Sequence, residues 1–170
     1  IHWCQRLLEH TRKKVLMIKI NTISNNQIWK RYLKNPNIFI QNKIHKLNKN
    51  FKKYKKNKIY CTLVLTGSNE IRKLNKKFRK KNETTDVLSF PFYTKKEFNK
   101  KIKNDREIYL GDIVVNLTKV KNKDNKNNFI VEFNKLWVHG LVHLFGYDHK
   151  KDLDFLKMKK IEKKFISYLK

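Results

Sequence analysis

The 170-residue sequence has no alanine, only two cysteines and only 14 acidic residues, and each shortage excludes something. Cys4 and Cys61 cannot build a disulfide framework. No apolar run approaches the roughly 18 residues that a membrane-spanning helix needs, so no membrane association is expected. Charged residues interrupt every early apolar stretch, so no secretory leader is expected and a cytoplasmic location follows. The acidic residues face 42 lysines and arginines, a net charge of +28. That balance excludes an acidic solvating chain and points to a polyanion such as RNA, DNA or acidic lipid. The absent alanine supplies a discount. The basic residues are 36 Lys and 6 Arg, and Asn occurs 20 times and Ile 16 times. Lys, Asn and Ile have A/T-rich codons and Ala has G/C-rich ones, so base composition accounts for part of the charge. Charge alone is therefore weak evidence for an RNA substrate, although it favours non-specific binding at low salt.

What is present is enough for one domain: 39% of the residues are hydrophobic. Residues 1–16 differ from the rest and read as a non-native or disordered extension, with Met17 as the biological start and 17–170 as a single catalytic domain. Ile18 to Ile23 alternates as a strand. Ile28 to Asn35 carries Ile28, Tyr32 and Leu33 at helical spacing before Pro36, and Ile38 to Lys52 continues with Ile40, Ile44, Leu47 and Phe51. Ile59 to Thr66 alternates as a strand that Gly67 ends. Ser68 or Asn69 is the expected cap of a helix whose face carries Ile71, Leu74 and Phe78. Val87 to Phe92 reads as a short strand, placed at a sheet edge by Pro91. Ile108 to Val115 reads as a further strand, Lys119 to Asn128 as a loop, and Phe129 to Phe145 and Asp152 to Leu169 as helices.

One constellation carries chemistry. Three of the six histidines fall in His139-Gly-Leu-Val-His143-Leu-Phe-Gly-Tyr-Asp-His149. His139 and His143, four residues apart, project from one helix face about one turn apart. Gly146 supplies the left-handed position that ends a helix, so the chain can return His149 to the same ion. Three neutral imidazoles suit Zn²⁺ best, one ion per chain. With no fourth side-chain ligand nearby, a coordination position stays open, which marks a catalytic zinc. An isolated histidine pair at this spacing is more often an ordinary surface or core pair; the third histidine changes that balance. The spacing is that of zincin-type metalloproteases, which carry a glutamate general base after the first histidine. Here that position is Gly140, which cannot take a proton.

The stretch His139 to His149 closely resembles the signature of the YbeY family, H-G-x-L-H-L-x-G-Y-D-H, departing only at Val142. Phe78 to Pro91 (FRKKNETTDVLSFP) resembles the family's T-D-V-L-S-F-P segment, and Leu110 to Val114 its L-G-D-I-V strand. Lys135 stands where many members carry histidine, outside the ligand trio. The resemblance covers Met17 to Lys170. It implies an α+β fold, a mixed sheet of about four strands packed by helices, with a zincin-like metal site on a helix followed by a glycine turn. It implies a metal-dependent, single-strand-specific endoribonuclease acting in ribosomal RNA maturation, at the 3′ end of small-subunit RNA, and in ribosome quality control. Single-stranded RNA, ribosomal RNA, the ribosome and its assembly proteins are the implied partners.

The candidate catalytic residues are accordingly His139, His143, His149 and Arg79, the three histidines also being the metal ligands. Arg79 matches the family's arginine, and its planar guanidinium can hold two phosphate oxygens as negative charge builds in the transition state. A surface position at a helix end is its plain alternative. Asp148 either orients a ligand imidazole or caps the turn. Thr85, Asp86 and Ser89 are candidates to line the cleft along the edge strand, Asp86 equally a turn cap. Asp112, in an otherwise apolar strand, is a further candidate to support a ligand or line the cleft, with a structural hydrogen bond as its plain alternative. Two rival readings remain: a non-catalytic zinc-containing, RNA-binding ribosome-assembly protein, and a metallopeptidase, which would need the base that Gly140 lacks.

Overall fold

A computed structural model describes residues 17–24, 26–149 and 152–170; the extension expected at 1–16 lies outside the described residues. The strands are β1 (Ile18–Ser24), β2 (Lys58–Thr66), β3 (Val87–Pro91) and β4 (Glu107–Asn116). The helices are α1 (Trp29–Tyr32), α2 (Pro36–Asn50), α3 (Ser68–Arg79), α4 (Lys95–Asn104), α5 (Lys126–Leu144) and α6 (Asp152–Tyr168). The sheet runs β1-β2-β4-β3, with β1, β2 and β4 parallel and β3 antiparallel to β4. The expected mixed four-stranded α+β sheet is therefore observed, and Pro91 lies on an edge strand, where its missing N–H breaks no ladder.

The alternation in β2 divides the sheet. Ile59, Cys61, Leu63 and Leu65 point into the main core, where they meet α2, α5 and α6. Val64 points the other way, into a small cluster in which Ile71 of α3 packs on Leu88 and Val114. In β4 the core-facing positions change parity, from Ile108 and Leu110 to Ile113 and Val115. A bulge at Gly111 causes the change: it has φ +125°, and the β2–β4 register slips by one residue there. A Cβ on Gly111 would lie 2.1 Å from the carbonyl oxygen of Phe90.

Several local readings change. Pro36 opens α2 rather than ending a helix, because Asn35 caps it by accepting from the Ile38 N–H at 3.0 Å. Trp29, not the exposed Ile28, anchors the short α1, its indole N–H donating to the Thr66 carbonyl at 3.0 Å. Helix α3 has Gly67 as its N-cap with no side-chain capping bond, and Phe78 is 56% exposed instead of buried on its face. Helix α4, which the hydrophobic pattern left unassigned, begins with a capping box between Thr94 and Glu97.

Two features of the packing aim the functional region. Phe145 sits in an aromatic cluster with Phe51, Tyr54, Phe98 and Phe165, which anchors the end of α5. Gly140 lets α5 lie flush on the sheet. A Cβ there would come within 2.5 Å of Ile113 Cγ2 and 3.1 Å of Ser89 Oγ.

Candidate metal centre

The histidine site is built by the last turn of α5 and the way it ends. Asn125 starts the helix by accepting from the N–H groups of Asn127 and Asn128. At the other end Gly146 takes φ +80°. The Gly146 N–H then donates to the His143 carbonyl at 2.8 Å, and the Tyr147 N–H to the Val142 carbonyl at 3.3 Å. This is the bonding of a Schellman turn. It reverses the chain and returns His149 to the helix face that carries His139 and His143.

The three imidazoles offer ligand nitrogens that all lie within 4.8 Å of one another. His139 and His143 face each other through their Nε2 atoms at 3.1 Å. Their other nitrogens are engaged. His139 Nδ1 pairs with Glu162 Oε1 at 2.6 Å, and His143 Nδ1 with the Tyr147 carbonyl oxygen at 2.9 Å. A carbonyl and an ionised carboxylate only accept, so both Nδ1 atoms carry the proton and donate. In the neutral rings both Nε2 atoms are then lone-pair acceptors, aimed at one another with no hydrogen between them. A cation or an added proton between them relieves that contact while both Nδ1 hydrogen bonds are kept. The donor set fits a metal ion: two nitrogens about 2.0–2.1 Å from a tetrahedral Zn²⁺ stand roughly 3.3 Å apart.

Electrostatics keep the site ready. Burial, and then the neighbouring His139, push the His143 pKa down to about 4, so the ring is neutral at physiological pH. Burial pulls the Glu162 carboxyl upward, but the hydrogen bonds from His139 and Lys159 outweigh it and hold the group below its ordinary value. Glu162 thus stays ionised, with Lys159 Nζ on its second oxygen at 2.9 Å. A carboxylate behind a ligand histidine fixes its tautomer and raises its basicity.

The trio opens into a cleft of ≈ 1060 Å³ that Arg79, Thr85, Asp86, Ser89 and Asp148 also line. Buried Asn116 holds the cleft's far wall: its side chain donates to the Thr85 carbonyl at 3.0 Å, and its N–H to the Asp86 carbonyl at 2.8 Å. Asp86 also caps its turn, accepting from the Val87 N–H at 2.8 Å. Asp148 accepts from the His149 N–H at 2.8 Å, a turn-capping contact. Asp112 is not in the cleft. It pairs with Phe90 in the ladder, on the face away from α5, and accepts from the Tyr109 hydroxyl at 2.5 Å. The Gly111 bulge sets that orientation. Glu162 escaped the sequence reading because it lies thirteen residues beyond His149, on a separate helix. The final helix carries Asp152, Asp154 and Glu162, and local spacing singles out none of them.

The sequence profile of the family described as "Endoribonuclease YbeY" matches residues 7–170. Its start falls within the segment set aside as an extension. The chain is 42% identical over 158 residues to the protein named Endoribonuclease YbeY of Pelagibacter ubique, covering 91% of this chain and 97% of that one. It is 32% identical over 157 residues to the protein of the same name in Ehrlichia canis, covering 90% and 93%. Among solved structures, a solution structure of a Thermotoga maritima protein superposes with a TM-score of 0.54 at 24% identity, covering 89% of each chain. That likeness supports the fold.

Proposed function

Because the chain belongs to the family of the endoribonuclease YbeY, we propose that it is a metal-dependent endoribonuclease. In this reading it cuts single-stranded RNA in ribosomal RNA maturation, at the 3′ end of the small-subunit RNA, and in ribosome quality control. It works in the cytoplasm with the ribosome and its assembly proteins as partners. The observation that carries the proposal is the facing pair of Nε2 acceptors at 3.1 Å, joined by His149 and opening into a cleft.

His139, His143 and His149 would hold one ion, of which Zn²⁺ fits the donors best. Such an ion supplies a Lewis acid for a phosphoryl oxygen and lowers the pKa of a water. The chain's own residues do the rest. Glu162 and the Tyr147 carbonyl fix the two helix imidazoles in the tautomer that presents Nε2, so no reorganisation is needed when charge develops. Arg79 lines the same cleft and brings a permanent positive charge to the non-bridging oxygens of the scissile phosphate. Gly140 offers no base, and its contact with Ile113 leaves no room for one. The proton is therefore lost from the nucleophile without a side chain at that position, whether the nucleophile is water or the RNA 2′-hydroxyl.

The test is cleavage of end-labelled single-stranded RNA by the wild type and His143→Ala, purified side by side. Cleavage by the wild type alone, lost with a chelator and restored by metal, is expected. Equal cutting by both would expose a contaminant. Binding by both with no cutting would put the non-catalytic assembly role in its place.

A further inference from the structure

A second groove, of ≈ 570 Å³, lies on the other side of His139 from the cleft. It shares His139, Asp86 and Val87 with the cleft, so the two recesses meet at the metal centre. Six lysines line it: Lys119, Lys121, Lys135, Lys159, Lys163 and Lys170. Lysine is about a fifth of the chain and over two-fifths of this lining.

The groove's three carboxylates are already engaged. Glu132 pairs with Lys135 at 2.7 Å, and Glu162 with His139 and Lys159. Asp86 accepts from Val87 N–H and Thr85 Oγ1. Lys119, Lys121 and Lys163 have no ion-pair partner among the described residues. They come from two separate elements, the segment after β4 and helix α6, and line one concavity. Six lysines against three carboxylates leave the lining net positive, and an anion threading between the unpaired lysines lowers their mutual repulsion.

We propose that this groove holds backbone phosphates of the RNA strand on one side of the scissile bond, with Lys119, Lys121 and Lys163 as the contacting charges. The inference rests on the ribonuclease reading and gives its substrate a direction: the strand passes from the Arg79 cleft, over the histidines, into the lysine groove. The lysines act as substrate-binding residues. They neutralise charge without reading bases, so their contribution is sequence-independent and sensitive to salt.

The experiment measures binding of a fluorescent, uncleavable 2′-O-methyl single-stranded oligonucleotide to the full chain in chelator, across a salt series. The test variant is Lys119→Gln/Lys121→Gln/Lys163→Gln. The control is Lys73→Gln/Lys76→Gln/Lys77→Gln, which removes equal charge from the exposed lysine face of α3. Each lost phosphate contact lowers the slope of log K against log salt by about 0.7 for single strands, so the groove variant should lose about 2 units of slope. The control should keep its slope within about half a unit, and thermal melting should confirm that both variants fold. Equal slope losses in the two variants, or none in either, would overturn the groove. Because no cleavage is read, that failure is distinct from failure of the ribonuclease reading, which the metal-restored cleavage assay tests alone.

Discussion

Removing the carboxylate behind His139 should weaken metal binding without unfolding the protein. Glu162 touches no ligand nitrogen that would face the ion; it accepts from Nδ1 at 2.6 Å, on the far side of the ring. Its side chain is only 13% exposed, so the contact is poorly screened by water. Losing such a partner lowers metal affinity by about 10–100-fold, equivalent to about 1.4–2.7 kcal/mol. Glu162→Ala should show that full loss. Glu162→Gln keeps an acceptor oxygen but no charge, and a charge-assisted bond is about twice as strong as a neutral one. It should therefore fall between the wild type and Glu162→Ala. The assay is competition for Zn²⁺ against a chromophoric chelator at pH 7.5, with melting of the metal-free variants alongside. In the metal-free state Glu162→Ala should cost about 1 kcal/mol from the lost hydrogen bonds, a shift of about 2–4 °C for a domain of this size. If both Glu162 variants bind zinc within about twofold of wild type while His143→Ala loses it, Glu162 only packs, and the argument from its contact is refuted.

Gly140→Ala should destabilise the chain despite the better helix propensity. Alanine gains about 1 kcal/mol in a helix interior, but overpacking against Ile113 costs about 1–3 kcal/mol or more; a raised melting temperature would contradict this. The metal-free protein should lose stability as the pH falls from 6.5 toward 4. His143 is depressed to about 4, so the unfolded chain takes up its proton first, and the stabilisation complete above 6.5 disappears through that window. Urea midpoints of wild type and His143→Asn across that range should converge at the acid end. Burial drives the Cys61 thiol pKa well above its ordinary range, so alkylation of its peptide should wait for unfolding, as mass spectrometry of denaturant-pulsed samples would show.

The legibility of this chain followed the range of each interaction. The three histidines share one helix end and one turn, and local spacing was enough to bring them together. Glu162 joins them only through the packing of α6 on α5, which no spacing encodes, whereas Asp148 drew notice because it is adjacent in sequence. The strands were readable from alternation, yet the face that Asp112 takes, away from the cleft, was not, because one glycine shifts the parity of β4. Helix α4 was hidden by lysines that dilute its apolar face, although its Thr94–Glu97 box was present in the sequence.

The order of the sheet also sets when the site can exist during synthesis. Strand β3 is third in sequence but reaches the sheet only through β4, which inserts between it and β2. The wall that carries Thr85, Asp86 and Ser89 therefore cannot dock until residue 116 has been made, and α5 needs that wall as its seat. The carboxylate that orients His139 comes later still, at position 162. A growing chain holds its histidines before it holds the parts that tune them, so the site reaches its full metal affinity only once residue 162 has been made and packed.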